Sequence, residues 1–135
     1  MIIASNIEEI ENFFDFTDSI VTDVKWVNNL TDLSISLDYY WDIQDGKSET
    51  RELTLVFKDC LKVEFNMPNE FIQLSKEGIN FDSWFTIVLF EREDSNQHTN
   101  NGLHQINIYT FDYTNPWVKI LCKEIILEQK SEIKP

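Results

Sequence analysis

The sequence predicts a mainly β (α+β) domain: an antiparallel sheet, sandwich or partly open barrel of about 6–8 strands with one short N-terminal helix. Three observations carry that expectation. Apolar residues recur with a helical period near the N-terminus, beyond about Ile20 they alternate with polar ones, and the alternating runs are joined by short turns. Parallel strands would need crossover helices that the pattern does not supply, so antiparallel pairing follows. At 135 residues, 42% hydrophobic and 13% aromatic, the chain suits one domain, residues 1–135, with a sizeable core.

The helix comes first. In "SNIEEIENFF" Ser5 and Glu8 have the spacing of a capping box, and Ile7, Ile10, Phe13 and Phe14 share one face, so residues 6–14 form a short amphipathic helix with an acidic first turn. The period then changes to two. A first strand puts Ile20, Val24 and Trp26 inward, and "NNLTD" (28–32) closes a hairpin with residues that tolerate the left-handed region. "DLSISLDYYW" is the clearest strand, with Leu33, Ile35, Leu37, Tyr39 and Trp41 on one face and Ser34, Ser36, Asp38 and Tyr40 on the other.

"DIQDGKSET" carries an Asp-Gly turn signal, after which "RELTLVF" and "LKVEFNM" alternate, leaving Lys58, Asp59 and Cys60 as a tight turn or a bulge. "NEFIQLSKEGINF" (69–81) fits either a short strand or one helical turn. "SWFTIVLFERE" is apolar on both faces from Trp84 to Phe90, which predicts a central strand. "LHQINIYTF" and "WVKILCKEIILEQ" complete the series. In the last, apolar parity slips between Val118, Ile120, Cys122 and Ile125, Leu127, the mark of a bulge near Lys123 and Glu124.

The formal net charge is −13, concentrated in residues 1–45, which hold ten acidic groups against Lys25 alone. Such a field repels phosphate backbones and anionic membrane surfaces and attracts a basic partner, so no nucleic acid and no membrane is expected. The N-terminal "MIIASNIEEIENFF" lacks a basic region followed by an apolar run, and no window approaches the ~18 apolar residues of a membrane span, so the expected location is cytoplasmic. The "NLT" at Asn29 is read as an accidental glycosylation match.

Catalytic motifs are missing: there is no Gly-rich phosphate loop, GxSxG elbow or HExxH. Cys60 and Cys122 lie in apolar strand patterns and read as buried small residues, although one bridge between them stays open. His98 and His104 lie in or beside a polar stretch that, with Asp94, offers ligand types for a divalent ion, but its composition predicts a solvated loop; no cofactor and no metal site are expected. Asp15 and Asp18 as an acid/base pair would need a pocket and a raised pKa. Asp18 instead reads as an acceptor of backbone N–H bonds where the chain turns into its first strand, with Asp15 and Asp23 contributing to the acidic surface. Tyr40, Tyr109 and Trp117 fall on the more polar faces of their strands, where they would anchor a partner unless another element covers them.

A short helix ending in an aromatic pair, then Phe16-Thr17-Asp18-Ser19, then a strand ending in an aromatic, resembles the start of the immunity protein 50 family of small bacterial immunity proteins from polymorphic toxin systems. In that family an aromatic-His-Asp signature precedes the first strand; Thr17 stands at the histidine's position. The run "RELTLVFKDCLKVEFNMPNEFIQLSKEGINFDSWFTIVLF" and "NPWVKILCKEIILE" are similar in layout to the rest of the family. The resemblance implies binding and neutralisation of a cognate toxin. The expected function is therefore a non-catalytic binding protein using Asp38, Tyr40, Asp42 and Asp45 against a basic partner. The competing expectations are a small-ligand binder or enzyme with a pocket between the sheet and the N-terminal helix, and a domain that self-associates through an edge strand.

Overall fold

The alternating runs build two antiparallel sheets. The computed structural model describes residues 1–67, 85–93 and 102–129, which hold nine strands and two helices: β1 (Ile2–Ala4), α1 (Ile7–Phe13), β2 (Ile20–Val27), β3 (Asp32–Asp38), α2 (Trp41–Gln44), β4 (Glu52–Lys58), β5 (Lys62–Phe65), β6 (Leu89–Glu93), β7 (His104–Tyr109), β8 (Val118–Cys122) and β9 (Glu124–Gln129). One sheet runs β1-β9-β4-β3-β2 and the other β5-β8-β7-β6. The fold is mainly β and antiparallel, as expected, without a closed barrel. The segment 69–81, Trp84, Asp94 and His98 lie outside the described residues.

The inner faces of both sheets share one core. Leu33, Ile35, Leu37, Leu53, Leu55 and Phe57 meet Ile106, Ile108, Val118 and Ile120 there, all fully buried. Truncating one such side chain to alanine costs about 2–5 kcal/mol, which is why the period-two pattern dictates the pairing register.

Two strands pass from one sheet into the other at a common corner. β4 leads into β5 through Asp59, whose φ is +52°, and β8 leads into β9 through Lys123. The Lys123 N–H donates to the Lys58 carbonyl at 3.0 Å, binding the two crossings together. The parity slip near Lys123 is thus a change of sheet rather than a bulge within one strand. With the three-residue β1, it brings the strand count above the expected range. Such corners are one way in which two sheets share strands.

Several local expectations change. Asn6, not Ser5, caps α1, accepting from the Glu9 N–H at 2.9 Å, while Glu9 reaches back to the Ser5 N–H at 3.0 Å; the box sits one residue later than Ser5 and Glu8. α1 buries Ile7 and Ile10 but turns Phe13 outward. A bulge between Val21 and Asp23 moves Val21 rather than Ile20 into register with the core residue Leu37. Trp26 shares the face of Leu33 yet is exposed, because β2 is an edge strand among the described residues and none of them covers the ring. Among the described residues β6 also lies at a sheet edge, where a central strand was expected. Among the described residues no helix is long and apolar enough to cross a membrane.

Candidate functional site

The chain between α1 and β2 is held by short polar contacts. The Asp15 carboxylate accepts from the Thr17 N–H at 2.9 Å, and the Asp15 N–H donates to the Tyr39 hydroxyl at 3.1 Å. Asp18 stands at φ +70°, its N–H donating to the Ile87 carbonyl at 2.8 Å. Its side chain is exposed and has no hydrogen-bond partner among the described residues. The turn-forming carboxylate is therefore Asp15, correcting the role expected of Asp18. What Asp18 supplies is tolerance of the left-handed backbone, which aspartate adopts more readily than most residues.

The stretch expected to continue β3 through Trp41 instead breaks into α2. The break is organised by Asp42, which is fully buried. Its carboxylate accepts from Arg51 Nε at 3.0 Å, Arg51 Nη2 at 3.0 Å and the Arg51 N–H at 2.8 Å, with Lys47 Nζ at 3.3 Å. Burial alone would raise this carboxyl, but the donors from Arg51 and Lys47 outweigh it and hold its pKa below 3.8. Gly46, at φ +89°, supplies the left-handed residue that the Asp-Gly signal announced.

Arg51 also lies over the Tyr39 ring, its Cζ 5.7 Å from the centroid. Tyr39 packs edge-on against Phe14 and Phe16, with centroids 5.7 and 6.0 Å apart, and burial raises its hydroxyl pKa above 10. Asp42, Arg51, Tyr39 and Asp15 thus form one chain of contacts. It fixes the back wall of a cleft of about 560 Å³ between the end of α1, the β3–α2 bend and β6. Rings of Phe13, Phe14, Tyr39, Trp41 and Phe90 line it together with the carboxylates of Glu11, Asp15 and Asp45. Phe13 is 76% exposed at the rim. Trp41 Nε1 is buried with no hydrogen-bond partner among the described residues. The cleft lies between sheet and helix, and its wall suits a cation: Asp15 and Asp45 supply charge and ring faces meet a stem, while Glu11 is paired with Arg92 Nη2 at 3.3 Å.

Of the four residues expected to meet a partner, only Asp45 lines this cleft. Asp38 is exposed at the end of β3, outside it. Tyr40 is half-buried; its N–H donates to Ser19 Oγ at 3.0 Å and its hydroxyl accepts from Gln44 Nε2 at 2.9 Å. Asp42 is corrected outright: its carboxylate is buried and occupied by Arg51 and Lys47, leaving no surface to offer. Tyr109 and Trp117 are also buried, with Tyr109 donating to Glu91 Oε2 at 3.1 Å and Trp117 packed on Phe65 and Phe85. Sequence reasoning missed Glu11, Phe13 and Trp41 as cleft residues. The exposed aromatic at the end of an acidic helix was the available signal.

Cys60 and Cys122 are both free, and burial raises both thiols, so neither is a ready nucleophile. His104 begins β7. Among the described residues no group of three or more His, Cys, Asp or Glu could hold a metal ion. The outer face of the five-stranded sheet presents Ser34, Ser36 and Thr54 between Lys25, Lys58, Glu52 and Glu128, a mixture of signs with no common focus.

No family model matches the chain, and no curated protein matches it. A crystal structure of an uncharacterized protein from Neisseria gonorrhoeae is similar to it, with a TM-score of 0.55 and 15% identity over 84% of this chain and 93% of that one. A likeness at that identity is one of fold.

Proposed function

We propose that the protein is a non-catalytic binding protein that captures a basic protein partner at the aromatic, acidic cleft, and that this partner is a cognate toxin it neutralises by contact, the role implied by the resemblance of its opening stretch. The observation carrying the binding reading is the juxtaposition of the exposed Phe13 ring with Asp15 and Asp45 at one opening. A net charge of −13 speeds encounter with a basic partner, and the aromatic rim supplies contact area once it arrives. Affinity purification from the native host tests it, with a Phe13→Ser/Asp45→Lys variant as the matched control. The expected result is a basic protein retained by the parent, released by salt and absent from the variant. Equal retention by both proteins, or affinity indifferent to salt, overturns the reading.

The volume of the cleft, within the ~300–1,000 Å³ range of ligand pockets, favours a second reading: a small organic cation as occupant. Titration calorimetry with guanidinium and quaternary ammonium compounds separates the two, since a partner-binding rim need not hold an isolated cation.

A further inference from the structure

The β2 edge carries a pattern that the cleft does not use. The Thr31 carbonyl accepts from the Cys60 N–H and the Tyr39 N–H donates to the Arg51 carbonyl, both at 2.9 Å, so the odd-numbered residues of β3 turn their backbone groups toward β4 and the even-numbered ones toward β2. Asp23, Lys25 and Val27 lie opposite Ser36, Ser34 and Asp32, so their backbone groups bond β3. Val24 and Trp26 therefore point their N–H and C=O groups away from the sheet. Val21, on the outward parity before the bulge, agrees: its N–H donates to the Phe85 carbonyl at 2.9 Å. Beyond that contact the edge has no strand beside it among the described residues, and Trp26 is 42% exposed on it.

We infer that this edge pairs with the same edge of a second copy, antiparallel about a two-fold axis at Val24, joining two five-stranded sheets into one. The register follows from charge. With the axis at Val24, the two Val24 residues exchange a pair of backbone hydrogen bonds, Asp23 of each copy faces Lys25 of the other, and Trp26 lies over Thr22 of the other. Moving the axis to Lys25 sets lysine against lysine, and moving it to Trp26 leaves both charges opposite neutral residues. Asp23 and Lys25 fall at non-hydrogen-bonded positions, where facing Cα atoms approach to about 4.5 Å and opposite charges reach each other. Thr22 to Trp26 is the usable length, because the Phe85 contact occupies the edge at Val21. A two-fold contact of this kind is closed, so association stops at two copies. The occupant is a second copy because the strand is its own charge complement.

Sedimentation equilibrium at physiological salt, from micromolar to millimolar protein, reads the association. The parent should pass from one chain to two with concentration. Lys25→Glu, which opposes carboxylates, and Asp23→Lys, which opposes ammonium groups, should each weaken dimerisation by roughly tenfold or more. An equimolar mixture of those two variants should dimerise again, because their edges are complementary to each other. Val24→Pro should also be monomeric while keeping its native circular dichroism, since the lost N–H is not one that bonds β3. A parent that stays monomeric throughout overturns the inference, as do variants that dimerise like the parent or a mixture that stays monomeric.

Discussion

The β2–β3 turn and the β3–β4 bend each close around an aspartate withdrawn from water, yet they keep its charge by different means. At the first, Asp32 accepts from neutral donors: the Asp59 N–H at 3.0 Å, Thr31 Oγ1 at 3.2 Å and Asn28 Nδ2. At the second, Asp42 is gripped by the Arg51 guanidinium and by Lys47. Burial pushes both carboxyls up, and hydrogen bonds bring both below 3.8. The first ties its hairpin to the corner at Asp59, 27 residues along the chain. The second spans nine residues and continues through Tyr39 to the cleft. Preorganised dipoles can hold a turn, whereas a cation that also stacks on a ring can couple a turn to a binding wall. Two of the ten acidic groups in the first third of the chain are thus withdrawn from water, and the surface field comes from the others.

The comparison breaks most readily at Asp42. Asp42→Ala should lower the unfolding free energy measured in urea by about 3 kcal/mol, the low end for breaking a buried pair, because Arg51 and Lys47 can turn to water. A loss below about 1 kcal/mol would show that the bend does not need the pair. The same variant should weaken partner capture, since Tyr39 and Asp15 lose their support.

Asp32→Ala should cost less, about 1–3 kcal/mol, because only neutral donors are left unpaired. Asp32→Asn should recover part of that, as the amide oxygen still accepts. Partner capture should be unchanged in both, and a loss there would erase the distinction between the two regions.

Acid sharpens the comparison further. A carboxyl whose native pKa is depressed contributes stability that is fully present above its ordinary value of 3.8 and is lost as pH falls through the lower native value. Urea titrations from neutral pH downward should therefore show a steep loss below that point. The loss should be shallower in Asp42→Asn and shallower again when Asp32→Asn is added. A double variant with the slope of the parent would mean that other carboxylates control acid unfolding.

The smallest effect has the opposite sign. Leu30 holds φ +70° with its side chain 74% exposed, so the β2–β3 turn carries strain with no packing in return. Leu30→Gly should raise stability by about 0.5–1 kcal/mol. Thermal unfolding at fixed pH reads that gain.

The sequence by itself determined the elements whose signal is local. The alternation of Leu33, Ile35 and Leu37 and of Leu53, Leu55 and Phe57 placed β3 and β4, because a strand with one buried face must repeat every two residues. "NNLTD" placed the hairpin, since Asn28 and Asn29 tolerate the positive φ that the turn needs. The acidic first turn and Ile7 and Ile10 placed α1. What tertiary structure decided was every question of what lies beside an element. The same parity slip at Lys123 fits a bulge or a change of sheet, and only the pairing of β8 with β7 and of β9 with β4 distinguishes them. Trp26 has the pattern of a core residue, and edge position exposes it. Asp42 has the composition of a surface residue, and Arg51, brought back by the bend, makes its burial tolerable. Periodicity reports which way a side chain points, whereas burial and charge depend on neighbours that the fold brings in from elsewhere in the chain.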